Sequence, residues 1–208
     1  MRTKETSTQV YFIRHGQTDF PNDRIYCDDR EDPSLIRQGL IQAKSAALYF
    51  QDVPIDALYC SPALRTRMTA AEVSQVTGVA PVFDERLRER RFGIWEGLYF
   101  DEIERLYPQE YAAWKADPVN FTPEGGETMH DVNVRLQSGL DHIMAAHQGR
   151  AVAIVCHVGP IRMAVTRAFH IPEDQYRQIR VDYAGITRID YGRTINNLIF
   201  LNNVRYKG

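Results

Sequence analysis

Three apolar runs in this sequence are each followed at once by cationic or imidazole side chains. Val10–Ile13 (VYFI) leads into Arg14-His15-Gly16-Gln17-Thr18, and Asp56–Cys60 (DALYC) into SPALR, which ends at Arg65. Ala151–Cys156 (AVAIVC) leads into His157-Val158-Gly159-Pro160. If each run is a strand, two histidines and two arginines converge on one crevice. Cations at the rim of a core are costly unless something compensates them. No Asp or Glu within these segments is an evident partner. A bound anion would compensate them: arginine pairs match phosphate in geometry as well as charge, and helix starts add N–H donors. One such residue after a strand reads as a solvated surface charge. Four of them at three strand ends, two adjacent, read as a site. The other histidines, His130, His142, His147 and His170, fall on predicted helices or their ends and read as structural or solvated. No spacing matches a zinc motif such as HExxH, so no metal site is expected.

The elements that must carry these residues alternate. The run at 10–13 reads as a buried strand. A helix is predicted over Gln38–Phe50, with Leu40, Ile41, Ala47 and Leu48 as its apolar face. The run at 56–60 is a second strand; Ser61 caps the next helix and Pro62 suits its first turn. That helix continues over Ala63–Val76, with Gly78 past its end. Ala80–Phe83 is a third strand. Phe100–Tyr107 and Gln109–Ala116 read as short helices divided by Pro108. Thr128 and Asp131 form a capping box, followed by Val132, Leu136, Leu140 and Ile143 at helical spacing as far as His147. AVAIVC, apolar throughout, reads as a central strand covered on both faces. Gly159–Phe169 is a helix that stops before Pro172. Ile186–Tyr191 and Ile195–Leu201 are closing strands joined near Gly192-Arg193. This alternation predicts an α/β fold, a three-layer α/β/α sandwich with a mostly parallel mixed sheet. Such sheets bind ligands at the carboxyl ends of their strands.

Composition narrows the field. The chain has 208 residues, 44% of them hydrophobic and 11% aromatic, enough for one domain with a full core. With 25 basic against 27 acidic residues, bulk charge argues against nucleic-acid binding. No apolar run is long enough to cross a bilayer, and the opening MRTKETSTQ has no apolar signal core, which argues against export. Three cysteines without close pairing, Cys27, Cys60 and Cys156, argue against a disulfide framework and fit the cytoplasm. Cys60 and Cys156 end apolar runs and read as buried thiols.

Six ordered stretches resemble the histidine phosphatase superfamily, the phosphoglycerate mutase-like proteins, over nearly the whole chain. RHGQT (Arg14–Thr18) matches the family's RHG[EQ]T, and DPSLIRQGLIQA (Asp32–Ala43) resembles its DPPLTELGxxQA, with Ser34 and Ile36 among the departures. CSPALRTRMTA (Cys60–Ala70) matches SSPxxRxxxTA, and RLRERRFGIWEG (Arg86–Gly97) matches RLxExxxGxWEG. EGGETMHDVNVR (Glu124–Arg135) matches GGES and its helix, and VCHVGPIR (Val155–Arg162) matches VSHxxxIR. The resemblance implies His15 as nucleophile, Glu89 as acid and base, and Arg14, Arg65 and His157 around the phosphate. It also implies Gln17, Asn22, Arg90 and Val158 as substrate-binding residues. The family's Asn after RHGxT is displaced, since Pro21 stands in its place and Asn22 follows.

The implied activity is a metal-independent phosphomonoesterase without cofactor, acting through a phosphohistidine on a small, acidic phosphorylated metabolite. Phosphoserine, α-ribazole phosphate and broad-specificity types all fit. A cofactor-dependent phosphoglycerate mutase is the alternative, because Glu89-Arg90 matches the mutases' Glu-Arg pair. A non-catalytic phosphate-binding relative is a third reading, but it would be marked by loss of His15, Glu89 or His157, and all are present. Residues 1–208 are expected to form one domain, with 98–128 as a variable cover over the site. The expected partner is a small phosphomonoester, not nucleic acid or membrane, and a homodimer is allowed.

Overall fold

The computed structural model describes residues 7–21, 23–26 and 31–205. Among these, strands β1 (Thr8–Arg14), β2 (Ala57–Cys60), β3 (Pro81–Phe83), β4 (Ala151–Cys156), β5 (Ile186–Tyr191) and β6 (Asn196–Asn203) form one sheet. Their order is β3-β2-β4-β1-β5-β6. The first four run parallel, and β5 and β6 close one edge as an antiparallel hairpin. The AVAIVC strand lies between β2 and β1, inside the sheet, as its apolar run requires. Register decides what happens next. Arg14 lies opposite Cys156, and Cys60 opposite Val155, so β1, β2 and β4 end level. The residues that follow them, His15, Ser61 and His157, therefore emerge side by side.

Alternate residues of each strand feed two cores, as a period of two demands. Tyr11, Ile13, Leu58 and Val155 face helices α1 (Arg37–Ala47) and α2 (Leu64–Thr77). Val10, Phe12 and Ile154 face α5 (Met129–Ala146) and α6 (Val158–Ala168). Two short helices, α3 (Phe100–Leu106) and α4 (Pro108–Ala116), pack a separate small cluster around Trp95, Ile103 and Ile25. The Thr128–Asp131 capping box opens α5 with both reciprocal bonds made. Gly78 ends α2 in the left-handed region, at φ 73°. No helix among the described residues is long and apolar enough to cross a membrane.

Two local expectations are corrected. The buried side of α1 is Gly39, Gln42, Ala43, Ala46 and Ala47; Ile41 and Leu48 are about half exposed and Leu40 only partly covered. Small residues win this face because backbone packs against it: a Cβ on Gly16 would stand 2.3 Å from the Gly39 carbonyl oxygen. Ser61 does not cap α2 either. That helix starts at Leu64, whose N–H is accepted by the Asp32 carboxylate from a different segment.

Candidate active site

His15 stands one residue past β1 and is 3% exposed. Its backbone N–H donates to the Cys156 carbonyl at 3.1 Å, and its own carbonyl accepts from the Ala184 N–H at 3.2 Å. The Gly16 N–H donates to Thr69 Oγ1 at 3.1 Å, tying the loop to α2. The ring Nδ1 lies 2.8 Å from the Gly16 carbonyl oxygen. A carbonyl can only accept, so Nδ1 carries the proton and Nε2 keeps its lone pair. Burial, reinforced by Arg65 and Arg14, holds this imidazole well below its ordinary pKa. A neutral imidazole with a free Nε2 is what a nucleophile needs.

His157 lies next to it, with ring centroids 5.3 Å apart. Both of its nitrogens are engaged: Nε2 with Ser61 Oγ at 2.7 Å and Nδ1 with Arg65 Nη2 at 3.2 Å. Guanidinium only donates, so Nδ1 accepts and Nε2–H donates to Ser61. Burial is again the main reason its pKa lies well below the ordinary value, followed by Arg65 and His15. The sign for stability follows. An unfolded histidine takes its proton near pH 6.5, whereas these two resist it, so acid favours the unfolded chain. Each imidazole should remove about 1 kcal/mol of stability per pH unit below about 6.5. The melting temperature should therefore fall between about pH 7 and pH 5.5, where carboxylates with lowered pKa do not titrate. A flat profile over that range would contradict the buried neutral pair.

The arginines are held in fixed planes. Arg14 Nη1 donates to the Val181 carbonyl at 2.8 Å, and its guanidinium lies 3.9 Å from the Tyr183 ring centre. Its Nε is buried without an acceptor among the described residues. Arg65, in the first turn of α2, is fully buried and lies 4.2 Å from the Tyr26 ring centre. The partner its own segment lacks comes from elsewhere: Asp32 stands 3.7 Å from Nη1.

Glu89 lines the same cavity as Arg14, His15 and Arg65. Its carboxylate accepts the Arg90 N–H at 2.9 Å and the Gly159 N–H at 3.2 Å. A Cβ on Gly159 would stand 2.2 Å from Glu89 Oε1, so glycine here lets the acid approach α6. Arg135 fixes the loop behind it, donating to the carbonyls of Arg86, Arg88 and Glu89. Glu127 holds Arg135 in turn, at 2.8 Å, and accepts the Arg91 N–H. The GGET stretch is thus the brace of the Glu89 loop rather than a plain connection.

Arg14, His15, Arg65, Glu89 and Val158 line one cavity of about 360 Å³, with His157 packed against His15 behind it. Tyr26, Tyr183, Arg162, Tyr176 and Arg177 also line this cavity; Arg162 closes the VCHVGPIR stretch, and no motif or spacing in the sequence marks the other four. Aromatic rings under guanidinium groups have no spacing rule; only the fold brings Tyr26 and Tyr183 there. Two expectations change. Gln17 does not line the cavity: its backbone N–H donates to Gln42, and its carbonyl accepts from Ile36. Arg90 touches the cavity, but its guanidinium donates to the carbonyls of Glu127, Pro118 and Phe121 at 2.7, 2.9 and 2.5 Å. These bonds anchor the following segment and take three of the guanidinium's five N–H donors. The Gly159 amide is taken by Glu89. Asn22 and Cys27 lie outside the described residues. Cys60 and Cys156 are buried as expected, and burial pushes the Cys60 thiol up to about 12, which leaves it unreactive. Among the described residues no three His, Cys, Asp or Glu side chains are grouped to hold a metal ion.

Comparison with known proteins places this geometry. The model of the histidine phosphatase superfamily (branch 1) matches residues 10–204. The chain is 30% identical to a Hydrogenobacter thermophilus protein named "Putative phosphoserine phosphatase 2", covering 94% of this chain and 96% of that protein. It is 29% identical to the Escherichia coli "Probable phosphoglycerate mutase GpmB", over 90% of this chain and 86% of that one. A solved mycobacterial glucosyl-3-phosphoglycerate phosphatase superposes with a TM-score of 0.82 at 25% identity, covering 94% of this chain and 98% of its own.

Proposed function

This chain belongs to the histidine phosphatase superfamily and is a phosphatase; from that premise we propose that it hydrolyses a small, acidic phosphomonoester, without metal, through a phosphohistidine. The observation that carries this reading is the state of His15: neutral, with Nδ1–H fixed on Gly16 and Nε2 without a partner among the described residues, beside Arg14 and Arg65 and in one cavity with Glu89.

The reaction follows from those positions. His15 Nε2 attacks phosphorus in line, and the ester oxygen leaves from the opposite side. Arg14 and Arg65 hold the non-bridging oxygens, where transition-state charge accumulates. His157 orients Arg65 in the free enzyme. A phosphate dianion against its Nδ1 edge favours the imidazolium, so His157 gains a proton and donates to the phosphate. Glu89 protonates the departing oxygen, then takes a proton from the water that attacks phosphohistidine, which regenerates neutral His15 and releases phosphate. The arginines supply the positive charge that a metal would otherwise bring. Residues 98–128 act as the cover that reads the rest of the substrate. Phe100 lines the cavity, and the Arg90 bonds to Pro118 and Phe121 hold this segment in place.

The mutase alternative relied on Arg90 as a carboxylate ligand, and Arg90 is committed to backbone carbonyls. Hydrolysis is therefore favoured. The purified protein with EDTA and a panel including phosphoserine and 3-phosphoglycerate should release inorganic phosphate. Exchange of phosphoglycerate isomers after priming with 2,3-bisphosphoglycerate, with little phosphate released, would establish the mutase instead.

A further inference from the structure

The cavity carries more positive charge than one phosphate group uses. Arg24 is neutralised by Glu31 in a two-bond pair, Arg65 has Asp32, and Arg90 is held by three carbonyls. Arg14, stacked on Tyr183, belongs to the phosphate cradle. Two further arginines line the same cavity, and neither has a carboxylate within ion-pair distance among the described residues. Arg162, on α6, is partly buried, and its Nε donates to the Ile179 carbonyl at 2.8 Å. That bond fixes the guanidinium plane and leaves both terminal nitrogens for another acceptor. Arg177, on the 3-10 turn Glu173–Gln178, donates Nε to Tyr176 Oη at 3.1 Å and lies 4.8 Å from the Trp114 ring centre.

Among the described residues the one carboxylate lining the cavity, Glu89, already accepts two backbone amides. A partly buried cation with free donors, beside a second cation stacked on an aromatic ring, is the arrangement that binds an anion. The Arg162 backbone lies farther along α6 than the phosphate cradle: Arg162 follows His157 by five residues, a rise of about 7.5 Å. We infer that Arg162 and Arg177 form an anion subsite for a second negative group of the substrate, a carboxylate or a further phosphate, a few bonds from the scissile ester. The inference rests on the phosphatase reading above and names the residues that would select an acidic substrate.

The test compares substrates that differ only in the second anion. For carboxylate the pair is 3-phosphoglycerate and glycerol 1-phosphate; for phosphate it is propane-1,3-diol bisphosphate and its monophosphate. The wild type should prefer the anionic member of at least one pair, and the pair that shows the preference identifies the anion. Arg177→Gln and Arg162→Gln should each lower kcat/KM for that member roughly tenfold, chiefly through KM. Both should leave glycerol 1-phosphate and p-nitrophenyl phosphate unchanged, and Arg162→Lys should recover part of the loss. Equal losses on every substrate, or no loss in either variant, would overturn the subsite. Calorimetric binding of the same pairs to a His15→Ala protein, with and without Arg177→Gln, reads the preference without turnover. A preference there that Arg177→Gln abolishes supports the subsite even if hydrolysis fails, whereas equal binding of both members overturns it.

Discussion

Replacing His15 with alanine is expected to lower phosphate release by roughly 10⁴-fold or more, because the substitution removes the group placed to form the covalent intermediate. The fold should survive: among the described residues the ring makes one hydrogen bond, to its neighbour's carbonyl, while the backbone contacts to Cys156 and Ala184 remain. Removal of a buried neutral imidazole should also soften the acid dependence of the melting temperature. The decisive measurement is rapid quenching with a radiolabelled phosphomonoester. Wild-type protein should carry an acid-labile, base-stable label, and the variant none. A His15→Ala protein that retained a tenth of the activity would remove the nucleophile assignment and the mechanism built on it.

Glu89→Gln should be nearly as damaging for a poor leaving group and much less so for a good one. The amide keeps the size and one acceptor, so the Arg90 N–H can still be satisfied. It has no proton to transfer, which costs roughly 10²- to 10⁴-fold for alkyl phosphates. A p-nitrophenolate leaving group needs no acid, so the first step with p-nitrophenyl phosphate should be largely spared. Water attack on phosphohistidine still lacks its base. The variant should therefore show a burst of p-nitrophenol followed by slow turnover, with labelled protein accumulating. Gly159→Ala offers an independent check, since its methyl would occupy the space of Glu89 Oε1. It should reduce alkyl phosphate hydrolysis in the same direction without touching the acid itself. An unchanged leaving-group dependence in Glu89→Gln would assign the proton transfers elsewhere.

The sequence is most legible where a residue's role depends on its place in the chain. Each cationic cluster follows an apolar run, and parallel strands present their carboxyl ends together, so this pattern alone brings His15, Arg65 and His157 to one edge of the sheet. The capping box at Thr128 and the end of α2 at Gly78 are legible for the same reason: both depend on neighbours within a turn. The first helix misleads because hydrophobicity favours Leu40, Ile41 and Leu48, whereas the packing partner is the backbone at Gly16 and Gln17, which only small residues can meet.

The sequence by itself determined the α/β layering, the family and which residues gather at the strand ends, because these rest on periodicity, strand ends and short motifs. Tertiary structure alone decided how the polar groups are shared. Ser61 reads locally as a helix cap and turns out to hold His157, 96 residues away. Arg65 gains Asp32 from 33 positions upstream. Arg90, beside the acid in sequence, is bound to carbonyls 28, 31 and 37 residues on, while Arg162 keeps its terminal donors for the cavity. A guanidinium binds whatever acceptor the fold brings within reach, and that acceptor belongs to a remote segment whose position no local pattern encodes.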